Sequence, residues 1–418
     1  MRGRGFSEGR NRYSGKRVIV LGLARSGVSA MELLGEVGAE VIGMDENPAI
    51  EIPDRLEEMD IRLGEFDNST LSHCDEVVLS PGIPVQHSFV QSALERGVPV
   101  ISELELGFRF CGSKIIAVTG TNGKSTTVNM IGAILKTAGI NSVTAGNVGL
   151  PFTSVVRNLD ENSICVLEVS SFQLETIVEF HPEVAGILNL TPDHLDRYDT
   201  LESYFRAKLR ITENSTTDDI YFYRADDPVL SKHSGTFPGK SIPFSSTVEL
   251  DTGACLSGDA LIFKRENGKV AVIKVEELPV KGVHNIENAL ASISAVSTIG
   301  VSTEVIRDAL RSFKGLPHRM EEIAVIDGVQ YINDSKATNV EATIMSLKGM
   351  NSPVVLIAGG RDKGGDFTKL SQVADRLKAV ITIGEAAPLI EEALQRLVPL
   401  ARAETDEGGC RNGSQNCR

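Results

Sequence analysis

What the chain lacks narrows the field before any motif is read. No apolar run approaches the ~18 residues that a membrane-spanning helix needs. The six cysteines (Cys74, Cys111, Cys165, Cys255, Cys410 and Cys417) form no C-x-x-C pair, so neither a disulfide framework nor a zinc site is indicated. Basic residues are outnumbered, 42 Lys and Arg against 56 Asp and Glu, and the net charge of −14 argues against nucleic acid or an anionic membrane as a partner. An anionic substrate must then be held by local cationic clusters working against the global field. Residues 1–13 carry four arginines but no apolar segment, unlike a secretory signal. A cytoplasmic location is expected, and no internal repeat is visible.

At 418 residues the chain exceeds one ordinary core, and several domains are expected. Apolar runs at 17–21, 40–44, 76–79 and 98–101 alternate with helical patterns, the rhythm of a parallel sheet in an α/β domain. The first run enters a G-x-A-x-x-G turn (Gly22, Ala24, Gly27), and the second closes on Asp45, where an acid can bind a ribose hydroxyl. A tight strand–helix turn with Asp45 as a cap accounts for the same residues equally well. Ser80 and Gly82 repeat the small-residue loop after the third run. A second α/β unit starts near Ser113, with runs at 163–167 and 184–188. Its region 218–280 is less regular, with alternating strands at 260–263 and 269–274. Gly315-Leu-Pro317 marks a boundary, and a third α/β unit follows with strands near 330–332, 353–357 and 379–383.

The most informative segment is TGTNGKST at 119–126, between the apolar run 114–118 and a helical pattern over 127–137. A strand feeding a glycine-rich turn and a helix N-terminus makes a phosphate cradle. Backbone N–H groups and the helix dipole face the anion, Lys124 adds charge, and Ser125 or Thr126 can reach Mg²⁺. The strict pattern G-x-x-x-x-G-K-[ST] is not met, because Val118 stands where its first glycine would be; Gly120 and Gly123 make a shorter turn. We expect a nucleoside triphosphate there.

Other segments carry chemistry at strand ends. Glu168 closes a strand run, and Mg²⁺ favours a few carboxylates plus phosphate oxygens, so Glu168 is the first candidate metal ligand; the alternative is a carboxylate capping the next helix, where Ser170 and Ser171 also qualify. Asp193, His194, Asp196 and Arg197 crowd one loop, a metal or substrate contact by composition. Lys208 reads by itself as a solvated lysine. Asn285 and Asn288 lie one turn apart and could hold a base or phosphate, or merely cap their helix. Arg319 could reach a nucleotide from a neighbouring domain or pair with Glu321 or Glu322 at a hinge. Lys336, Thr338 and Lys363 could hold a small dicarboxylate, with a helix N-terminus after Asp334 adding donors. Phosphate is an equal candidate for the glycine-rich loop around Lys363.

Seven segments in one order, TGTNGKST, LEVSSFQL (167–174), NLTPDHLDRY (189–198), GVHNIEN (282–288), LPHRME (316–321), NDSKATN (333–339) and GGRDKGG (359–365), together resemble the Mur ligase family, ATP-dependent amide-forming enzymes of peptidoglycan precursor synthesis. The NDSKATN segment is similar to that of the branch adding D-glutamate to UDP-N-acetylmuramoyl-L-alanine. The resemblance implies an α/β chain of three domains. These are a Rossmann-like N-terminal domain (1–104) for the UDP substrate, a central P-loop-type ATPase domain with a mixed sheet (105–315), and a Rossmann-like C-terminal domain (316–418) for the amino acid. It implies that Leu23, Ala24, Arg25, Asp45, Ser80 and Gly82 bind the uridine nucleotide, and that Asn147 and Ser170 contact substrate. ATP would lie on Gly120, Thr121, Asn122, Gly123, Lys124, Ser125, Thr126, Asn285 and Asn288, with Arg319 and Asp334 reaching it from the C-terminal domain. Mg²⁺ would sit on Ser125 and Glu168, with a second ion at His194. Lys208 matches a lysine that the family carries as a carbamate, and Lys336, Thr338 and Lys363 would hold D-glutamate. A monomer is expected.

The tail departs from that pattern. Residues 406–418 lack apolar periodicity, and the family's final segment is absent, so the C-terminal domain is expected to lack its last elements. One back-translation of this tail, read one nucleotide later, yields a helix-period sequence, and a frameshift near codon 406 is expected; an intact frame on resequencing would end that idea. Such a loss would expose an apolar sheet edge and remove donors for glutamate. Competing expectations are another amide ligase of this architecture, such as one extending folate with glutamate, a nicotinamide-dependent dehydrogenase built on Gly22 to Gly27, and a non-catalytic nucleotide-binding remnant.

Overall fold

Strand β1 (Arg17–Leu21) illustrates how the parallel sheets are built. Val18 and Val20 face one apolar cluster while Ile19 and Leu21 face another, and all four are fully buried. A strand covered on both faces reads as a continuous apolar run rather than an alternating one. At ~1.5–3 kcal/mol for each fully buried Val, Leu or Ile, these side chains fix the strand's position more firmly than any single hydrogen bond. The computed structural model describes residues 5–404, apart from 195–196, 266–267, 351 and 363–364 and the side chain at 341.

Three domains follow in order. In the first, β1 is flanked by β2 (Glu40–Asp45), β3 (Asp60–Leu63), β4 (Glu76–Leu79) and β5 (Val100–Ser102), all parallel, in the order β3-β2-β1-β4-β5. The order reverses at β1, so the loops after β1 and β4 border one crevice at the carboxyl edge. Gly27, in the helix Arg25–Glu36, lets that helix close on the turn: a Cβ there would lie 1.9 Å from the carbonyl oxygen of Gly22.

The second domain holds a nine-stranded sheet. Its strands are β6 (Lys114–Thr119), β7 (Ser142–Gly146), β8 (Ile164–Glu168), β9 (Val184–Ile187), β10 (Ile220–Arg224), β11 (Lys240–Ser245), β12 (Gly253–Ser257), β13 (Ala260–Arg265) and β14 (Gly268–Lys274). Their order is β14-β13-β12-β11-β10-β9-β6-β8-β7. The sheet is parallel from β7 to β12 and turns antiparallel at β13 and β14, the mixed sheet expected.

The third domain differs from expectation in one respect. The run near 330–332 is not a strand of the parallel sheet but half of an antiparallel hairpin, β15 (Glu321–Ile326) with β16 (Val329–Asn333). The parallel sheet is β17 (Val354–Gly359), β18 (Leu377–Ile383) and β19 (Leu400–Arg402). Gly328 at φ 79°, following Asp327 at φ 51°, closes a turn too short for any crossover helix. The tail from 405 onward lies outside the described residues. None of the described cysteines is in a disulfide, and no described helix is long and apolar enough to cross a membrane.

One apolar cluster runs from Val18 and Val20 of β1, through Leu104 and Phe108, to Ile115 and Ala117 of β6, so the first two domains share a core. The helix Glu103–Phe110 between them is buried along its whole length. Arg109, on that helix, donates to both oxygens of Glu76 (2.8 and 3.0 Å), to the Tyr13 hydroxyl (2.7 Å) and to Glu105 (3.0 Å). Glu105 in turn accepts the N–H groups of Val178, Glu179 and Phe180. The third domain has its own separate cluster around Val340, Leu370 and Val380.

Arg109→Met would strand two buried carboxylates, a loss of about 3–5 kcal/mol in urea unfolding. Arg12→Gln, which breaks an exposed pair with Glu179, should shift stability by less than about 1 kcal/mol. Equal effects of the two would show that the Arg109 cluster is not what joins the domains.

Candidate active site

The strand order explains why three of the seven segments meet. TGTNGKST, LEVSS and NLTPDH leave the carboxyl ends of β6, β8 and β9, and β6 lies between the other two. Residues 120–123 turn from β6 into the helix Lys124–Thr137, which begins at the phosphate loop itself. Gly123 is the helix N-cap at φ 86°, and a Cβ on it would lie 2.4 Å from Asn288 Oδ1. Asn288 thus seals the loop from the helix Val283–Thr298, accepting from Thr127 Oγ1 (3.3 Å) and donating to Asn285 Oδ1 (3.3 Å). Both amides are buried beside the phosphate helix, and neither serves as the cap of its own helix, which is Gly282.

Asn189, not singled out from the sequence, braces the loop. Its Oδ1 accepts from Asn122 N (2.8 Å), its Nδ2 donates to Asn122 O (3.1 Å), and its carbonyl accepts from Thr121 N (3.1 Å). Thr121 Oγ1 also accepts from Tyr204 Oη (3.3 Å), another residue left unread. Thr126 is buried on the first turn of the helix.

Two lysines converge on one carbonyl. Lys124 Nζ donates to Gly120 O (2.9 Å) and Thr121 O (2.8 Å), and Lys208 Nζ donates to the same Gly120 O (3.0 Å). Lys208 is 2% exposed, which corrects its reading as a solvated lysine: the helix Leu201–Leu209 buries Tyr204, Ala207 and Lys208 on one face. Burial, and then the charge of Lys124, push the Lys208 ammonium well below the usual lysine range, with Asp193 and Glu168 pulling the other way. Burial also lowers Lys124, against the pull of Glu168 and Asp193, and Arg319 lowers it further.

Glu168 is 3% exposed and accepts from Asn147 Nδ2 (3.0 Å). It does not cap the next helix: Ser170 does, in a capping box with Gln173, which spends the Ser170 hydroxyl on structure. His194 sits at φ 54° with its ring near Phe172 and Tyr204, its Nε2 3.8 Å from Asp193 Oδ2. Asp196 lies outside the described residues. Arg197 stacks 3.7 Å over Phe172 and donates to Pro81 O (2.9 Å) and Ile83 O (3.3 Å), tying this loop to the first domain. No cluster of three or more acidic, His or Cys side chains forms a metal cage among the described residues. What is present is one buried carboxylate beside a phosphate loop and its serine. That donor set fits Mg²⁺ held mainly through phosphate oxygens.

A cavity of about 390 Å³ opens beside this centre. Its lining includes Ala24, Arg25, Asp45, Ser80 and Gly82 of the first domain and Asn147 of the second. Leu23 is turned into the core and meets this region only through its N–H, which donates to Asp45 Oδ2 (2.7 Å). Asp45 Oδ1 accepts from Asn47 N (2.9 Å), so the carboxylate braces its own turns while lining the cavity. Arg25 donates to the Gly149 carbonyl across the domain junction.

From the third domain, Arg319 points away from the hinge acids and donates to Ser125 Oγ (3.2 Å). Asp334 is bound within its own domain, accepting from Met320 N (3.0 Å) and Ser346 Oγ (2.5 Å). No helix follows Asp334: the helix is Val340–Lys348, capped by Asn339. Lys336 and Thr338 are exposed beside it, and Lys363 lies outside the described residues.

Residues 118–296 match the family model of the Mur ligase middle domain, and residues 16–102 match that of the MurD-like N-terminal domain. The chain is 39% identical over 392 residues to UDP-N-acetylmuramoylalanine--D-glutamate ligase of Lachnoclostridium phytofermentans, covering 92% of this chain and 86% of that protein. It is 40% identical over 386 residues to the ligase of the same name from Alkaliphilus metalliredigens, covering 90% and 85%. Among solved structures, the MurF ligase of Thermotoga maritima in complex with ADP superposes at a TM-score of 0.59 with 19% identity, over 98% of this chain and 90% of that one, which speaks to fold alone.

Gly123→Ala tests the cradle. The added methyl strains the backbone and meets Asn288, so nucleoside triphosphate affinity by calorimetric titration should fall at least about tenfold. Unchanged affinity would place the triphosphate elsewhere.

Proposed function

This chain belongs to the Mur ligase family, and we propose that it joins D-glutamate to UDP-N-acetylmuramoyl-L-alanine, converting ATP to ADP and phosphate. The observation that carries the proposal is the Asn147–Glu168 hydrogen bond: Asn147 lines the cavity and Glu168 flanks the phosphate loop, so one contact joins the two. In this reading Ala24, Arg25, Asp45, Ser80 and Gly82 hold the uridine nucleotide, and its L-alanyl carboxylate extends past Asn147 toward the loop.

A carboxylate does not condense with an amine in water, because its carbon is not electrophilic and oxide is a poor leaving group. The substrate carboxylate oxygen attacks the terminal phosphorus of ATP, the bond to ADP breaks, and an acyl phosphate forms. The amine of D-glutamate then attacks the acyl carbon and phosphate departs. Backbone N–H groups of 120–126 and the start of the helix Lys124–Thr137 hold the triphosphate, and Lys124 swings from its two carbonyls to the transferring group. Asn285 and Asn288 border the nucleotide. Mg²⁺, when bound, would be held by Ser125 and Glu168, with His194 taking a second ion, and would neutralise charge on the phosphates.

Lys208 has the properties of a lysine that takes up CO₂. Burial and then the charge of Lys124 push its ammonium well below the usual lysine range, which favours the amine form whose nitrogen attacks carbon dioxide, forms an N–C bond and releases a proton. The resulting carbamate is an anion beside Lys124, so attraction takes the place of the repulsion that disfavours a Lys208 ammonium.

The domain limits at 104 and 315 divide the work among the UDP substrate, ATP and the amino acid. Lys336, Thr338 and Lys363 hold D-glutamate, and Arg319 reaches over ATP from the third domain. We take the protein to act as a monomer in the cytoplasm.

Phosphate release from ATP by the purified chain, with UDP-N-acetylmuramoyl-L-alanine and with or without D-glutamate, tests this directly. Release that depends on D-glutamate is expected; ATP binding without that dependence would make the chain a nucleotide-binding remnant. Lys208→Ala should abolish release, with partial recovery in acetate or another short carboxylic acid, and failure to recover would remove the carbamate role.

A further inference from the structure

Asn339 makes a set of contacts that helix capping alone does not require. Its Oδ1 accepts from Ala342 N (2.8 Å) and caps the helix Val340–Lys348. Its Nδ2 points out of the third domain, donating to Asp193 Oδ2 (2.9 Å) and lying 3.4 Å from Asn122 Oδ1. Asn122 is part of the phosphate loop, and Asp193 precedes His194. One planar amide therefore touches the amino-acid domain with one atom and the nucleotide site with the other, and the cap fixes its orientation.

The segment carrying Asn339 is tied to the segment carrying Arg319 by hydrogen bonds. Asp334 Oδ1 accepts from Met320 N (3.0 Å), and Lys336 N donates to His318 O (3.1 Å). Among the described residues the third domain thus meets the nucleotide site at two pins, Arg319 on Ser125 of the phosphate loop and Asn339 on Asp193 and on Asn122 of that loop. The domain's apolar core is separate from the other two, so polar pins of this kind set its position.

We propose that Asn339 is a positioning residue, the latch that seats the amino-acid domain on the phosphate loop and brings the incoming amine to the acyl carbon. The proposal rests on the ligase reading above. Thr338, assigned there to D-glutamate, is the preceding residue, so seating Asn339 also orients that pocket relative to the loop.

Asn339→Asp and Asn339→Ser separate latch from cap. Both retain an oxygen that caps a helix as well as Asn does. Ser is too short to reach Asp193, and Asp sets a second carboxylate against it. A lost hydrogen bond to a charged group corresponds to about ten- to a hundredfold in rate. D-glutamate-dependent kcat should fall by that factor in the Ser variant and further in the Asp variant. ATP affinity of the binary complex and the melting midpoint should stay near wild type, readouts that a merely structural role would move first. Assays run well below each variant's melting midpoint keep the comparison valid. Wild-type kcat in both variants, or a loss matched by an equal fall in melting midpoint, would overturn the latch. A wild-type chain with no D-glutamate dependence would instead sink the parent reading.

Discussion

The carbonyl of Gly120 accepts from two lysine side chains, the buried Lys208 and the half-buried Lys124, and much of the centre follows from that sharing. Two cations on one neutral acceptor in a low-dielectric setting are costly unless anions approach or a proton leaves. Glu168 and Asp193 supply part of the compensation, and Arg319 adds a third positive charge to the same region. The arrangement is electrostatically incomplete without an anion, which a triphosphate supplies. It also resolves the tension between a chain of net charge −14 and an anionic substrate: the positive charge is concentrated and desolvated at one point, where it acts most strongly.

Stiffness is distributed unequally around that point. The first two domains share an apolar core and the Arg109 cluster, which hold the walls of the cavity between them together. Among the described residues the third domain reaches the site through polar contacts, Arg319 on Ser125 and Asn339 on Asp193, and its apolar core is its own. A reaction that must admit three substrates and then exclude water from an acyl phosphate needs both properties.

Much of the fold and the site was legible because its signals are local. β1, β4 and the phosphate loop announce themselves as apolar runs ending in small residues, and the mixed region at β13 and β14 as alternation. β3 was not legible: Asp60-Ile-Arg-Leu63 is a short edge strand with no fully buried residue. Lys208 reads as solvated in sequence because a lysine's burial depends on what its helix packs against, although Tyr204 and Ala207 on the same face are a usable signal. Sequence alone points to a helix start after Asp334 as readily as at Asn339 because both are good caps, and only tertiary contacts spend Asp334 on Met320 and Ser346. Asn189 and Asn339 act across gaps of 67 and 146 residues, which no window of sequence spans.

Sheet register supplies the last constraint. Gly146, Glu168, Val118 and Gly186 lie in one row across β7, β8, β6 and β9. The strand therefore continues through Val118, where a strict phosphate-loop pattern would already have turned at a glycine. That extra length carries the start of the turn level with Glu168, so the phosphate loop, the buried carboxylate, Asn147 and the loop bearing His194 all leave the sheet at the same height. Gly146 is required at its place in the row, since a Cβ there would lie 2.2 Å from the Glu168 carbonyl. The departure from the common motif is thus coupled to the position of the carboxylate. A turn begun at 118 would leave Glu168 beside the sheet instead of beside the phosphate.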